Sequence, residues 1–135
     1  MGTAYIAGKI SGNKRYKEQF SAAARFLRSC GFETVLNPAA MIPDTADPAT
    51  AMRICLSAID VADAVFFLPN WRDSTGARLE HSYCEYIDKE IEYLQTRSVL
   101  DQFYETRQSK MGGAPSNHRV RMMHERGFTY YEFGI

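Results

Sequence analysis

The stretch that decides the fold is Ala62-Asp63-Ala64-Val65-Phe66-Phe67-Leu68-Pro69-Asn70-Trp71-Arg72-Asp73-Ser74-Thr75-Gly76-Ala77-Arg78-Leu79-Glu80. It begins with an apolar run of strand length, which is typical of the centre of a parallel sheet, where both faces are buried. Pro69 cannot extend the hydrogen-bond ladder, so the strand should end before it. The polar loop that follows leads into a helix that Asp73 or Ser74 can cap. A buried strand, a short loop and a helix are therefore predicted.

Glu80 lies on the face of this helix that is expected to point inward, because Ala77, Cys84 and Ile87 share its face. A carboxylate facing a sheet is costly unless it is paired or used in chemistry. A charge favouring the helix N-terminus is a weak explanation, since Glu80 lies beyond the first turn. An ion pair with an arginine such as Arg53 is a second structural explanation. The functional interpretation is a carboxylate aimed into a cleft at the sheet edge.

The composition indicates one cytoplasmic domain. The 135 residues are 45% hydrophobic and carry no formal net charge, so nucleic acid and membranes are not expected partners. No apolar run approaches the roughly 18 residues of a membrane span, and no signal peptide is recognised. The three cysteines lack a CxxC pair, which favours reduced thiols. His81 and Cys84 have no second pair to complete a zinc site, so neither a metal nor a cofactor is expected.

Predicted strands and helices alternate along the chain, in the order 3–7 (strand), 15–29 (helix), 33–36 (strand), 51–62 (helix), 62–68 (strand), the Glu80 helix and 90–94 (strand). The last of these strands is expected at an edge of the sheet. Segment 37–50 has three prolines and no periodicity, and is predicted as a loop. This order predicts an α/β fold, a flavodoxin- or Rossmann-like three-layer sandwich with a short parallel sheet.

Two loops are expected to meet at one edge of this sheet. The strand order of the sheet should reverse between the first and third strands, and ligands bind at such switch points. Segment 8–12 contains Gly8 and Gly12, whose backbone N–H groups could approach an anion, although a plain strand-to-helix turn explains them equally well. The switch-point rule places this segment beside segment 70–76, with Glu80 beneath both.

Residues 1–95 are interpreted as the core, and residues 96–135 as a helical and aromatic C-terminal extension of the same domain. Helices are predicted at 98–110 and 118–126, with a glycine- and proline-rich break at 111–115. The mildly basic segment 97–126 is either a solvated cap on the sheet or a segment that makes dimer contacts or closes the cleft. Segment 128–133 has four aromatic residues among six, and is expected to pack on another surface.

Five segments within residues 3–95 carry a resemblance to a known family. They are Tyr5-Ile6-Ala7-Gly8-Lys9-Ile10-Ser11-Gly12, Asn37-Pro38-Ala39, Met52-Arg53-Ile54-Cys55-Leu56, Ala62-Asp63-Ala64 and Leu68-Pro69-x-Trp71-x-Asp73-Ser74-x-Gly76-Ala77-x-Leu79-Glu80. Together they resemble the nucleoside 2-deoxyribosyltransferase-like superfamily, in particular its uncharacterised bacterial and phage branch. Segment 71–80 is the most specific of them.

The resemblance implies an enzyme that splits or exchanges the N-glycosidic bond of (deoxy)nucleosides or their 5′-monophosphates. Glu80 matches the nucleophile of the superfamily, and Ser74 matches a serine that contacts the 5′-phosphate. The substrate-binding residues implied or suggested are Tyr5, Gly8, Lys9, Ile10, Ser11, Gly12, Asn37, Trp71, Ser74 and Gly76. Trp71 could stack on the base or simply close the cleft wall. Relatives complete their sites with neighbouring subunits, so a homodimer or higher homo-oligomer is expected.

One position departs from the superfamily pattern. Cys55 stands where many relatives carry an Asp that is thought to assist with the base, and a thiol is a poor substitute for a carboxylic acid. Asp73, Asp60 and Asp63 are the alternatives for this role, although the place of Asp63 at a strand start favours a structural role. The candidate catalytic residues are therefore Glu80, Asp73 and Cys55.

The sequence thus predicts hydrolysis or transfer of the N-glycosidic bond of a small-molecule substrate, a nucleoside 5′-monophosphate. The alternative is a non-catalytic protein that binds a nucleotide or a nucleotide-derived signal. Cys55 favours the binding protein, whereas the spacing from Ser74 to Glu80 favours the enzyme.

Overall fold

The computed structural model describes residues 2–96, 121–125 and 128–133. Its elements are β1 (Thr3–Ala7), α1 (Tyr16–Ser29), β2 (Thr34–Leu36), α2 (Pro38–Met41), α3 (Pro48–Val61), β3 (Ala64–Phe67), a 3-10 turn (Trp71–Asp73), α4 (Thr75–Tyr86), β4 (Glu90–Thr96), β5 (Arg121–Glu125) and β6 (Phe128–Phe133). The alternation of strands and helices confirms the predicted α/β class. Within these residues no helix is long and apolar enough to cross a membrane.

The strands form one sheet in the order β2-β1-β3-β4-β6-β5. The first five strands in this order are parallel, and β5 runs antiparallel to β6. The chain leaves β1 toward β2 on one side and returns to β3 on the other, so the predicted switch point between the first and third strands is present. Ala7 lies opposite Phe67 in the register, and the N–H of Leu68 donates to the carbonyl of Ala7 at 2.8 Å.

β3 is the centre of the core because all of its side chains are apolar and buried. Phe66 faces the layer that contains α1, where it meets Phe32 edge-to-face at 5.2 Å between ring centroids. Val65 and Phe67 face the opposite layer, together with residues of α3 and α4. Burying one such phenylalanine contributes about 1.5–3 kcal/mol. The two apolar clusters on either side of the sheet make the three-layer sandwich that was predicted.

The proline-rich segment 37–50 is only partly the loop that was predicted, because two helices begin in it. The Oδ1 atom of Asn37 accepts a hydrogen bond from the N–H of Ala39 at 3.0 Å, and Pro38 is the first residue of α2. Asp47 caps α3 in the same way, with Pro48 as its first residue. Proline is tolerated at the first helical position since its missing N–H has no intrahelical acceptor there. These prolines therefore start helices.

Two predictions about the C-terminal half are wrong. β4 is not an edge strand, because β3 and β6 flank it. Residues 121–125, predicted as part of a helix over 118–126, form β5, since their backbone pairs with β6. The helix predicted over 98–110 and the break at 111–115 lie outside the described residues. The aromatic segment 128–133 packs on its own domain as β6, and the buried ring of Phe133 lies 5.8 Å from that of Phe26.

Candidate active site

The loops that follow β1 and β3 lie side by side and are joined by hydrogen bonds. The backbone N–H of Lys9 donates to Oδ1 of Asn70 at 3.1 Å. The side-chain amide of Asn13 donates to the carbonyl of Lys9 and to Oε1 of Gln19, at 2.8 Å in both cases. The amide of Asn70 also reaches Oε1 of Gln19, at 3.4 Å. This network holds the two loops together at the switch point of the sheet.

The two glycines of the first loop serve different purposes. A Cβ added to Gly8 would lie 2.7 Å from Cδ1 and 3.0 Å from Cβ of Leu68, so only glycine allows the ends of β1 and β3 to approach this closely. Gly12 has a φ of +73° and open space around it. Between them, Ile10 packs against the core on the α1 side, whereas Ser11 is exposed. In this loop Gly8 therefore allows a close backbone approach, whereas Gly12 allows a turn that is open to solvent.

Glu80 is buried beneath these loops, with only 5% of its surface exposed. The hydroxyl of Tyr5, which is fully buried in β1, donates a hydrogen bond to Oε2 of Glu80. In the described part of the chain no lysine or arginine forms an ion pair with this carboxylate, and Arg53 is exposed. The ion pair considered as a structural explanation is therefore absent there. The partner of the carboxylate is a neutral hydroxyl.

Cys55 of α3 is buried in the same cluster as Tyr5, on the side of the sheet that faces α3 and α4. Burial raises the pKa of Glu80 to about 7, and the hydrogen bond from Tyr5 opposes the rise. Burial also raises the pKa of the Cys55 thiol to about 11. The pKa of Tyr5 is well above its ordinary value, first through burial and then through the nearby Glu80 carboxylate. Of these three groups, only Glu80 changes its charge near neutral pH.

Ser74 is the N-cap residue of α4, the helix that carries Glu80. Its Oγ accepts a hydrogen bond from the N–H of Ala77 at 3.1 Å, which leaves the hydroxyl proton available to another acceptor. The N–H groups of Thr75 and Gly76 belong to the first turn of the helix, where no intrahelical acceptor exists. An added Cβ on Gly76 would meet Cε of Met52 at 3.4 Å, which is an ordinary van der Waals contact.

The other carboxylates considered for catalysis lie in different surroundings. Asp63 accepts a hydrogen bond from the N–H of Thr3 at 2.8 Å, at the amino edge of the sheet, which confirms its structural role. Asp60 accepts from the hydroxyl of Tyr83 at 2.7 Å and so ties α3 to α4. Asp73 is exposed in the 3-10 turn before α4. Of these three, Asp73 alone lies on the loops of the candidate site.

An aromatic cluster, formed by Phe67, Trp71, His81 and Tyr93, lies beside the candidate site at the carboxyl ends of β3 and β4. Trp71 and His81 are stacked, with centroids 4.2 Å apart and an interplanar angle of 10°. The His81 Nε2 atom is 2.8 Å from the hydroxyl of Tyr93, and its Nδ1 atom is 3.2 Å from Glu85. From the sequence, His81 was considered only as a metal ligand and Tyr93 was not considered for the site. Among the described residues no group of three or more His, Cys, Asp and Glu could hold a metal.

Comparison with known proteins places the chain in a family. No curated protein and no solved structure matches it. The family described as a domain of unknown function, DUF4406, matches residues 2–93, more than half of the chain. The matched range contains both loops, Tyr5, Cys55 and Glu80. The chain therefore belongs to the DUF4406 family.

Proposed function

We propose that this protein cleaves the N-glycosidic bond of a (deoxy)nucleoside 5′-monophosphate, with Glu80 as the nucleophile. The observation that carries the proposal is the buried Glu80 carboxylate, whose hydrogen-bond partner is the neutral Tyr5 hydroxyl. Breaking such a bond develops positive charge on the sugar, in an oxocarbenium-like transition state. A carboxylate in a water-poor site stabilises this charge strongly, because the effective dielectric constant is low there.

The reaction divides into two displacements at C1′ of the sugar. In the first, a carboxylate oxygen of Glu80 bonds to C1′, and the electron pair of the C1′–N bond leaves with the base. In the second, the oxygen of a water molecule bonds to C1′, the ester bond to Glu80 breaks, and the water proton is released. The hydrogen bond from Tyr5 engages Oε2 and leaves the second oxygen for attack. Replacing water by a second base would turn the hydrolysis into a transfer.

The N-terminus of α4 supports the choice of a monophosphate. Ser74 has a hydroxyl proton to donate, and the N–H groups of Thr75 and Gly76 lie in the same helical turn. Helix N-termini favour anions because their N–H groups lack acceptors and the helix dipole is positive there. Lys9 belongs to the neighbouring loop, and its backbone is fixed by Asn70. These groups would hold the phosphate while Glu80 faces the sugar.

Cys55 does not replace the carboxylic acid of other superfamily members in this scheme. A thiol with a pKa of about 11 stays protonated at neutral pH, so it is neither a base nor a nucleophile. We assign it to packing, because it lies in the same buried cluster as Tyr5. The leaving base then takes its proton from Asp73 or from solvent. We further propose a cytoplasmic location, which the absence of a CxxC pair among the three cysteines favours.

The decisive experiment measures free base released from a panel of ribo- and deoxyribonucleoside monophosphates by chromatography. The wild type should release base from at least one of them, and Glu80→Gln should release none while keeping its circular dichroism spectrum. Glu33→Gln, which changes an exposed carboxylate before β2, is the matched control. Saturable nucleotide binding without any release would instead establish the alternative, a nucleotide-binding protein that performs no turnover.

A further inference from the structure

A second concave site lies beside the Glu80 site, between the carboxyl ends of β3 and β4. It is a pocket of about 230 Å³, and its walls include Phe67, Trp71, Arg72, Tyr93, Leu94 and Gln95. None of Tyr5, Ser74 and Glu80 lines it. The proposed reaction does not account for this pocket.

Trp71 lies in the wall of the pocket, and the two faces of its indole have different neighbours. One face is covered by the imidazole of His81, stacked at 4.2 Å. The guanidinium carbon of Arg72 lies 4.8 Å from the centre of the indole, and it must occupy the opposite face because the imidazole fills the first. Arg72 is exposed, so its side chain can leave this face at little cost. A flat ring entering the pocket could then stack on the indole.

The polar groups of the pocket would contact the edge of such a ring. In the described part of the chain Arg72 forms no ion pair with a carboxylate, and its contact is the indole of Trp71. A guanidinium offers five N–H donors and no acceptor, so it favours a ligand with a carbonyl oxygen or an anionic group. The Tyr93 hydroxyl is oriented by His81, which Glu85 contacts on its other nitrogen.

We propose that this pocket binds a planar nitrogen heterocycle of nucleobase size that carries a ring carbonyl. Pockets for drug-sized ligands span roughly 300–1,000 Å³, so a pocket of about 230 Å³ suits a ring rather than a whole nucleotide. The ring stacks on Trp71, and Arg72 donates a hydrogen bond to its carbonyl. Stacking of a base on an aromatic side chain is favourable for any base, so the carbonyl contact supplies the selectivity.

The choice of a nucleobase rests on the proposed function, in which a free base is the product or the second substrate. The ring-binding pocket itself does not depend on Glu80 chemistry. Binding can therefore be measured without turnover, in the wild type and in Glu80→Gln alike. Trp71 is the single tryptophan of the chain, so its fluorescence reports directly on a ring stacked against it.

The test titrates hypoxanthine and purine, which differ in one ring carbonyl, into the protein while tryptophan fluorescence is recorded. Hypoxanthine should quench the emission saturably in the wild type and in Glu80→Gln, and purine should bind about tenfold more weakly. Arg72→Met keeps an apolar cover on Trp71 but removes the donors, so it should bind the two rings equally. Arg78→Met, which changes an exposed arginine of α4 outside the pocket, should keep the preference.

The proposal is overturned if hypoxanthine gives no saturable quenching, or if Arg72→Met retains the preference for hypoxanthine. Circular dichroism of Arg72→Met confirms that an exposed position has been changed without loss of fold. Ring binding by a protein that releases no base from any monophosphate would support the ring-binding pocket and refute the proposed reaction. Base release without quenching would refute the pocket alone.

Discussion

The hydroxyl of Tyr5 donates a hydrogen bond to the carboxylate of Glu80, and this bond joins strand β1 to helix α4 inside the core. The two residues are 75 positions apart in the chain, and both are buried. The carboxylate is thus desolvated and held in one orientation by a neutral group. A site of this kind suits stabilisation of a positive charge that arises during a reaction.

Activity should rise with pH through about 7, because Glu80 must be ionised to act as the nucleophile and burial raises its pKa to about 7. The measurement is kcat/KM for the best monophosphate across the pH range in which the fold is intact. An acid limb near the ordinary glutamate value of 4.5 would show that Glu80 does not control the rate.

Stability should change in the opposite direction across the same window. The folded-state pKa of Glu80 lies above the unfolded one, so between about 4.5 and 7 the folded protein binds the extra proton. The contribution of Glu80 to stability is then fully present below pH 4.5 and is lost as pH rises through 7, a loss on the order of 3 kcal/mol. Urea unfolding of the wild type and Glu80→Gln at several pH values isolates this contribution. An equal pH dependence in both proteins would contradict it.

Tyr5→Phe should lower turnover and move the acid limb of the pH profile to higher pH. The hydrogen bond from Tyr5 opposes the rise in the pKa of Glu80, so its removal raises that pKa further. We expect a loss of stability of about 1–3 kcal/mol, the usual cost of depriving a buried polar group of its partner. Tyr83→Phe, which removes the hydroxyl that binds Asp60 instead, is the control and should leave the pH profile in place.

Two substitutions separate the two roles of Ser74, which are capping α4 and binding the phosphate. Ser74→Ala should lose about 1 kcal/mol of stability, because Ala77 loses the acceptor of its N–H. It should also raise KM for monophosphates by about tenfold, since a hydrogen bond to a charged group is lost. Ser74→Asp keeps the helix cap but repels a phosphate, so it should retain stability and lose monophosphates. Equal kcat/KM for nucleosides and monophosphates in the wild type would remove the phosphate site.

The protein should be at least a dimer in which a second subunit helps to complete each site. Among the described residues two short loops bound the Glu80 site, whereas ligand sites usually enclose about 70–90% of a drug-sized ligand. Segment 128–133 is β6 of the sheet, so we expect segment 37–50 of the second subunit to supply the missing cover. Light scattering should give at least twice the chain mass of 15.3 kDa. A monomer with full specific activity would refute this prediction.

Much of the fold follows from local patterns in the sequence. The apolar run at 64–67 and the proline at position 69 identify β3. The burial of a strand and the residue at which it ends both depend on residues close together in the sequence. The inward orientation of Glu80 follows equally from helical spacing, and Ala77 and Cys84 on the same face are buried with it. The order of these elements was sufficient to place β2, β1 and β3 in the sheet, since parallel crossovers have few allowed arrangements.

The tertiary structure decided what depends on residues far apart in the chain. No local pattern pairs Tyr5 with Glu80, sets Gly8 against Leu68 or seats the guanidinium of Arg72 over a tryptophan whose other face holds His81. Residues 121–125 form a strand because their backbone pairs with β6. A helix prediction from their own sequence does not take this pairing into account. Hydrophobic periodicity indicates which side of a helix or strand is buried. Which residues cover that side is determined only by the assembled fold.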